Sequence, residues 1–103
     1  MATVEDLRNA LKEVYDPEIP INIVDLGLVY GIEEKEPGKV RVEFTLTSPM
    51  CPLGDELAGR IHESLARLGG VTEVEVRLVW EPIWTKEKMT DDGRLQASML
   101  GIG

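Results

Sequence analysis

Val40–Trp80 reads VRVEFTLTSPMCPLGDELAGRIHESLARLGGVTEVEVRLVW, and this stretch decides the fold. Its first seven residues alternate strictly, which predicts a strand with Val40, Val42, Phe44 and Leu46 on one face and Arg41, Glu43 and Thr45 on the other. Leu53, Leu57, Ala58, Ile61, Leu65 and Leu68 then recur at helical spacing, and Gly69-Gly70 ends the helix. From Val71 onward, Val74, Val76, Leu78 and Trp80 alternate with Glu73, Glu75, Arg77 and Val79, a further strand. A right-handed crossover through the helix sets this strand parallel to the one at Val40–Leu46.

Upstream, Leu28–Ile32 reads as a strand and Glu36-Pro37-Gly38-Lys39 as a turn, so this strand and the one at Val40 form a hairpin. Thr3 and Asp6 make a near capping box ahead of Val4, Leu7, Ala10, Leu11 and Val14, an amphipathic helix that Pro17 and Pro20 stop near Tyr15. Asp16–Gly27 is then a loop. Downstream, Glu81–Lys88 reads as extended, and Thr90-Asp91-Asp92 starts a short last helix carrying Leu95, Met99 and Leu100. The expectation is an α+β two-layer sandwich, helix-strand-strand-helix-strand with a short C-terminal helix. Both main helices cover one face of a three-stranded mixed sheet, and the other face is wet or meets a partner.

Composition agrees with one domain over residues 1–103: 43% of the residues are apolar and 29% charged, a globular balance. No apolar run approaches the ~20 residues of a membrane helix, and the N-terminal residues lack the basic start and apolar stretch of a secretory signal, so a cytoplasmic, membrane-free protein is expected. The net charge of −8, with Arg41, Arg60, Arg67 and Arg77 interleaved among glutamates, argues against nucleic acid as a partner.

Thr47–Asp55 places the single cysteine, Cys51, between Pro49 and Pro52 on a strand-to-helix connection. Unpaired N–H groups at a helix start favour a thiolate, the form that binds metal or attacks electrophiles. A small buried apolar cysteine is the competing reading, which composition alone favours; the position in a Pro-flanked loop brings the two close to even. One Cys and one His cannot supply the four ligands of a closed metal or cluster site, and His62 reads as a solvated helix residue. Asp16, Glu18 and Asp25 bring three carboxylates into the first loop. Metal contact, acid-base work or partner recognition would each use them, and so would ordinary turn chemistry. There is no Ser-His-Asp elbow, glycine-rich phosphate loop or paired-cysteine motif.

Asp16-Pro17-Glu18-Ile19-Pro20, Asn22–Tyr30 and Thr47-Ser48-Pro49-Met50-Cys51-Pro52 together resemble the metal-sulfur cluster assembly factor family, with its SufT-like and PaaD-like bacterial members. Trp80-Glu81-Pro82-Ile83-Trp84 and the Gly93–Ile102 tail extend the resemblance over nearly the whole chain. The resemblance implies a role in maturing iron-sulfur proteins. It places the reactive cysteine at Cys51, the acidic motif at Asp16, Glu18 and Asp25, and a second loop motif from Thr47 to Pro52. Cys51, with Asp25, is then the expected metal contact for a transient cluster that one chain alone does not hold tightly.

Two non-enzymatic mechanisms fit a single thiolate: a carrier that passes a cluster to clients, or an adaptor that docks iron-sulfur client and scaffold proteins. A thiol-dependent enzyme is the third class, weakened because no general base is placed by the sequence. Trp80 and Trp84 are compatible with a homodimer interface, or with capping the domain's own core. A loop thiol contributes little packing, so Cys51→Ser is expected to shift the thermal midpoint by only a degree or two, on the order of a surface change, while abolishing function. A large loss of stability in that variant would instead identify a structural cysteine.

Overall fold

The computed structural model describes residues 3–16, 19–47 and 54–101. In chain order these form α1 (Val4–Leu11), β1 (Val29–Glu36), β2 (Lys39–Phe44), α2 (Gly54–Ala66), β3 (Glu73–Leu78), a 3-10 turn at Lys86–Lys88, and α3 (Asp91–Met99). The sheet order is β1-β2-β3, with β1 antiparallel and β3 parallel to the central strand. This is the expected α+β architecture with the expected parallel crossover. No helix among the described residues is long and apolar enough to cross a membrane.

Local chemistry sets the element ends. Thr3 and Asp6 form a complete capping box: the Asp6 N–H donates to Thr3 Oγ1 at 3.1 Å, and the Thr3 N–H to Asp6 Oδ2 at 3.0 Å. At the hairpin tip Gly38 adopts φ +84°, where a side chain would be strained, and its N–H donates to Glu34 Oε2 at 3.0 Å. The Gly38 carbonyl accepts from the Thr72 N–H at 2.8 Å, which fastens the tip to the chain entering β3.

Val40, Val42 and Phe44 of β2 lie buried in one cluster with Leu7 and Leu11 of α1 and Leu57, Ile61 and Leu65 of α2. The opposite sheet face is polar. Arg41 reaches Glu33 on β1 at 3.6 Å and Glu75 on β3 at 3.4 Å, and Glu75 also pairs with Arg77. Arg77, then Arg41 and Lys35, hold the Glu75 carboxyl below its ordinary range. These cross-strand partners carry β1 past Ile32: Glu33 pairs with Arg41 and Glu34 faces Val40 in regular register, and after a register shift Glu36 pairs with Lys39.

Three features of burial go beyond what the sequence pattern decides. Leu78 and Trp80, which alternate in step with Val74 and Val76, are 39% and 43% exposed at the end of β3, an edge strand. The last helix forms where expected but turns its large apolar residues outward: Leu95, Met99 and Leu100 are exposed, while Gly93 and Ala97 are buried. The segment before β1 is a loop, as expected, and most of its apolar residues are buried. Ile21, Ile23, Val24, Leu26 and Leu28 are all buried core residues.

Phe44 is the largest fully buried side chain, at the C-terminal end of the middle strand. Phe44→Ala is expected to lower unfolding stability by about 3–5 kcal/mol in denaturant titration. A cost below about 1 kcal/mol would show that the sheet and helices do not share one core.

Candidate functional site

The loop between α1 and β1 turns back on itself through its own backbone. The Ile23 N–H donates to the Val14 carbonyl at 2.9 Å, the Leu26 N–H to Asn22 at 3.0 Å, and the Gly27 N–H to Val24 at 3.0 Å. The loop begins at Asp16, 5% exposed, whose Oδ2 accepts from the Ile19 N–H at 2.8 Å. Turn chemistry therefore operates at Asp16, but in a buried setting.

Asp25 lies near the end of this loop and is 7% exposed. Its Oδ2 accepts from Asn22 Nδ2 at 2.7 Å and from Gln96 Nε2 at 3.5 Å, and its Oδ1 accepts from Thr90 Oγ1 at 2.9 Å. Its N–H donates to Asn22 Oδ1 at 2.9 Å, and its carbonyl accepts from the Thr90 N–H at 2.9 Å. Nearly every polar group of this residue is thus engaged, by donors from both its own loop and α3 (Asp91–Met99). A buried carboxyl is tolerated only with such partners.

Three more ties run from the C-terminal segment to the same region. Trp84 Nε1 donates to the Leu26 carbonyl at 2.7 Å, Tyr30 Oη donates to the Pro82 carbonyl at 2.7 Å, and the Lys88 ammonium sits 5.1 Å above the Tyr30 ring. Burial pushes the Tyr30 phenol above its ordinary value. Trp84 therefore covers the domain's own core, whereas Trp80 remains exposed.

On the far side of the loop, the Leu28 carbonyl accepts from the Thr45 N–H at 2.8 Å. Thr45 is 1% exposed and half-buried Thr47 follows it, so the acidic loop is bonded to the strand end that leads toward Cys51. Glu18, Cys51 and Pro52 lie outside the described residues.

Among the described residues no three His, Cys, Asp or Glu side chains come together to hold a metal ion, and His62 is exposed on α2 (Gly54–Ala66). A groove of about 840 Å³ lies elsewhere, between α1 (Val4–Leu11) and α2, and neither Asp25 nor Thr47 lines it. Asp6, Glu13 and Glu63 face Arg60 and Arg67 there, a mixed set that selects neither an anion nor a cation.

Gln96 was not singled out from the sequence, and Thr90, Trp84 and Gly93 were named there for other reasons than their contacts with the Asp25 loop. One signal was legible: a glycine within a helix costs about 1 kcal/mol relative to alanine and marks a place where another backbone comes close. A Cβ at Gly93 would overlap the Asp25 carbonyl oxygen.

Comparison with known proteins agrees with this architecture. The family model described as "Iron-sulfur cluster assembly protein" matches residues 4–76. The Fe-S protein maturation auxiliary factor YitW of Bacillus subtilis is 42% identical over 101 residues, 98% of this chain and 96% of the relative. The Fe-S protein maturation auxiliary factor SufT of Staphylococcus aureus is 42% identical over 77 residues, 75% of this chain and 88% of the relative. The crystal structure of a domain of unknown function, DUF59, from Bacillus anthracis superposes with a TM-score of 0.87 at 34% identity, covering 97% of this chain and 92% of that one. With α1 through most of β3 inside the matched region, and near full-length similarity to maturation factors, the chain belongs to the iron-sulfur cluster assembly protein family.

Proposed function

We propose that this protein is an accessory factor in the maturation of iron-sulfur proteins, acting as a carrier that holds a cluster transiently through Cys51 and releases it to a client. Family membership over residues 4–76, with relatives named as Fe-S protein maturation factors along nearly the whole chain, is the observation that supports it. The cluster is cargo, not a resident cofactor. One cysteine supplies one thiolate, so the remaining ligands come from a second copy, a client or a small thiol, and such incomplete ligation favours transfer.

Asp25 takes a supporting place in this reading. A direct metal contact, expected from the sequence, would require its carboxylate to give up or share a donor among Asn22, Thr90 and Gln96. Asp16 supports the same loop from within, and Glu18, Thr47 and Pro52 are the further residues this reading assigns to meeting a client or scaffold protein. No substrate turnover is part of the reading.

The adaptor reading draws on a different observation. Ile83, Leu95 and Met99 are 76%, 61% and 78% exposed, apolar surface of the kind that docks proteins. Anaerobic reconstitution with iron and sulfide separates the two, using wild type beside Cys51→Ser. A carrier gives a visible cluster spectrum and bound sulfide in wild type only, and light scattering of the loaded protein reports whether two copies share the cluster. No cluster in either protein would overturn the carrier and leave the adaptor.

A further inference from the structure

We infer that the C-terminal segment Trp84–Ala97 is a clamp that fixes the Asp25 loop for cluster handling, with Thr90 and Gln96 as its positioning residues. The inference rests on the maturation role above. It assigns a part of that role to a segment that follows the family-model match, which ends at residue 76, although the loop being clamped lies inside the match.

The packing of α3 (Asp91–Met99) is not that of a helix recruited to bury apolar surface. Its large apolar side chains, Leu95 and Met99, point to solvent, and the residues it buries are Gly93 and Ala97. What the small face permits is close approach. The Thr90 N–H and hydroxyl and the Gln96 amide all reach one residue, Asp25, and Thr90 also caps the helix, its Oγ1 accepting from the Gly93 N–H at 3.0 Å.

Two glycines make the fit specific. Gly93 lies against the Asp25 carbonyl, and Gly27, at φ +79°, lies against the Lys88 carbonyl, so a methyl group at either position would collide with backbone of the opposing segment. One glycine comes from each side of the contact. Trp84 donating to Leu26 closes the same seam at its other end.

The clamp reaches the functional loop by a short route. Asp25 precedes Leu28 by three residues, and the Leu28 carbonyl holds the Thr45 N–H, at the start of the connection that carries Cys51. A change in the seam is therefore transmitted through one backbone hydrogen bond to the chain that presents the thiol.

The test uses the full-length protein and three variants: Thr90→Val, which keeps shape and removes the hydroxyl, Thr90→Ser, which restores it, and Gly93→Ala. Three readouts are taken: amide hydrogen exchange, the pH profile of Cys51 alkylation by iodoacetamide, and the rate of cluster transfer to an apo-ferredoxin. Thr90→Val is expected to raise exchange at Asp25–Leu28 about tenfold with β2 amides unchanged, to shift the midpoint of the alkylation profile, and to slow transfer severalfold. Thr90→Ser should return all three toward wild type, and Gly93→Ala should behave as Thr90→Val or more severely.

Unchanged exchange at Asp25–Leu28 in Thr90→Val overturns the clamp. Raised exchange with an unchanged alkylation profile overturns its link to the thiol, as does transfer at the wild-type rate. If wild type takes up no cluster, the carrier reading fails by itself, and exchange together with the alkylation profile still decides the clamp. If Gly93→Ala does not fold, the Thr90 pair carries the same decision.

Discussion

The Asp25 carboxyl, buried beneath α3 (Asp91–Met99) and held by Asn22, Thr90 and Gln96, is the constraint around which the other parts of the site are arranged. Removing a carboxylate from water is costly, and hydrogen bonds to a charged group return about 1.5–3 kcal/mol each when geometry is good. A single loop donor would not suffice. The second and third donors come from 65 and 71 residues away along the chain, so the C-terminal segment supplies two of the three side-chain groups that satisfy this carboxyl. The same long-range dependence explains the paired glycines: with carbonyl against Cα at both Gly27 and Gly93, the two segments meet backbone to backbone.

The hydrophobic layer provides the platform for this seam. Phe44, Val42 and the buried faces of α1 (Val4–Leu11) and α2 (Gly54–Ala66) fix the sheet, and β2 (Lys39–Phe44) leads through Thr45 and Leu46 into the cysteine connection. Leu26 and Leu28 extend that core into the acidic loop, which places a polar, functional motif on apolar footings. The charged face of the sheet is separate from both, with Arg41 between Glu33 and Glu75.

The two-residue alternation at Val40–Phe44 and the helical spacing at Leu57, Ile61 and Leu65 were legible because each reports one buried face of a regular element. So were the parallel crossover and the Thr3 cap. The burial of the loop was not, since Ile21, Ile23, Val24 and Leu26 follow no regular period. The last helix was legible in position but not in orientation: its apolar residues offered one face, and the polar demands of Asp25 selected another. At the site, Asp25 could be singled out by its loop context, whereas its partners Thr90 and Gln96 depend on tertiary contacts that no local pattern encodes.

The most direct measurement is a double-mutant cycle between Asp25 and Thr90, comparing wild type, Asp25→Ala, Thr90→Val and the double variant by denaturant unfolding. A coupling of about 1 kcal/mol or more is predicted, because either single change already removes the bond between them. Additive effects, with coupling near zero, would contradict the claim that this contact holds the C-terminal segment to the acidic loop.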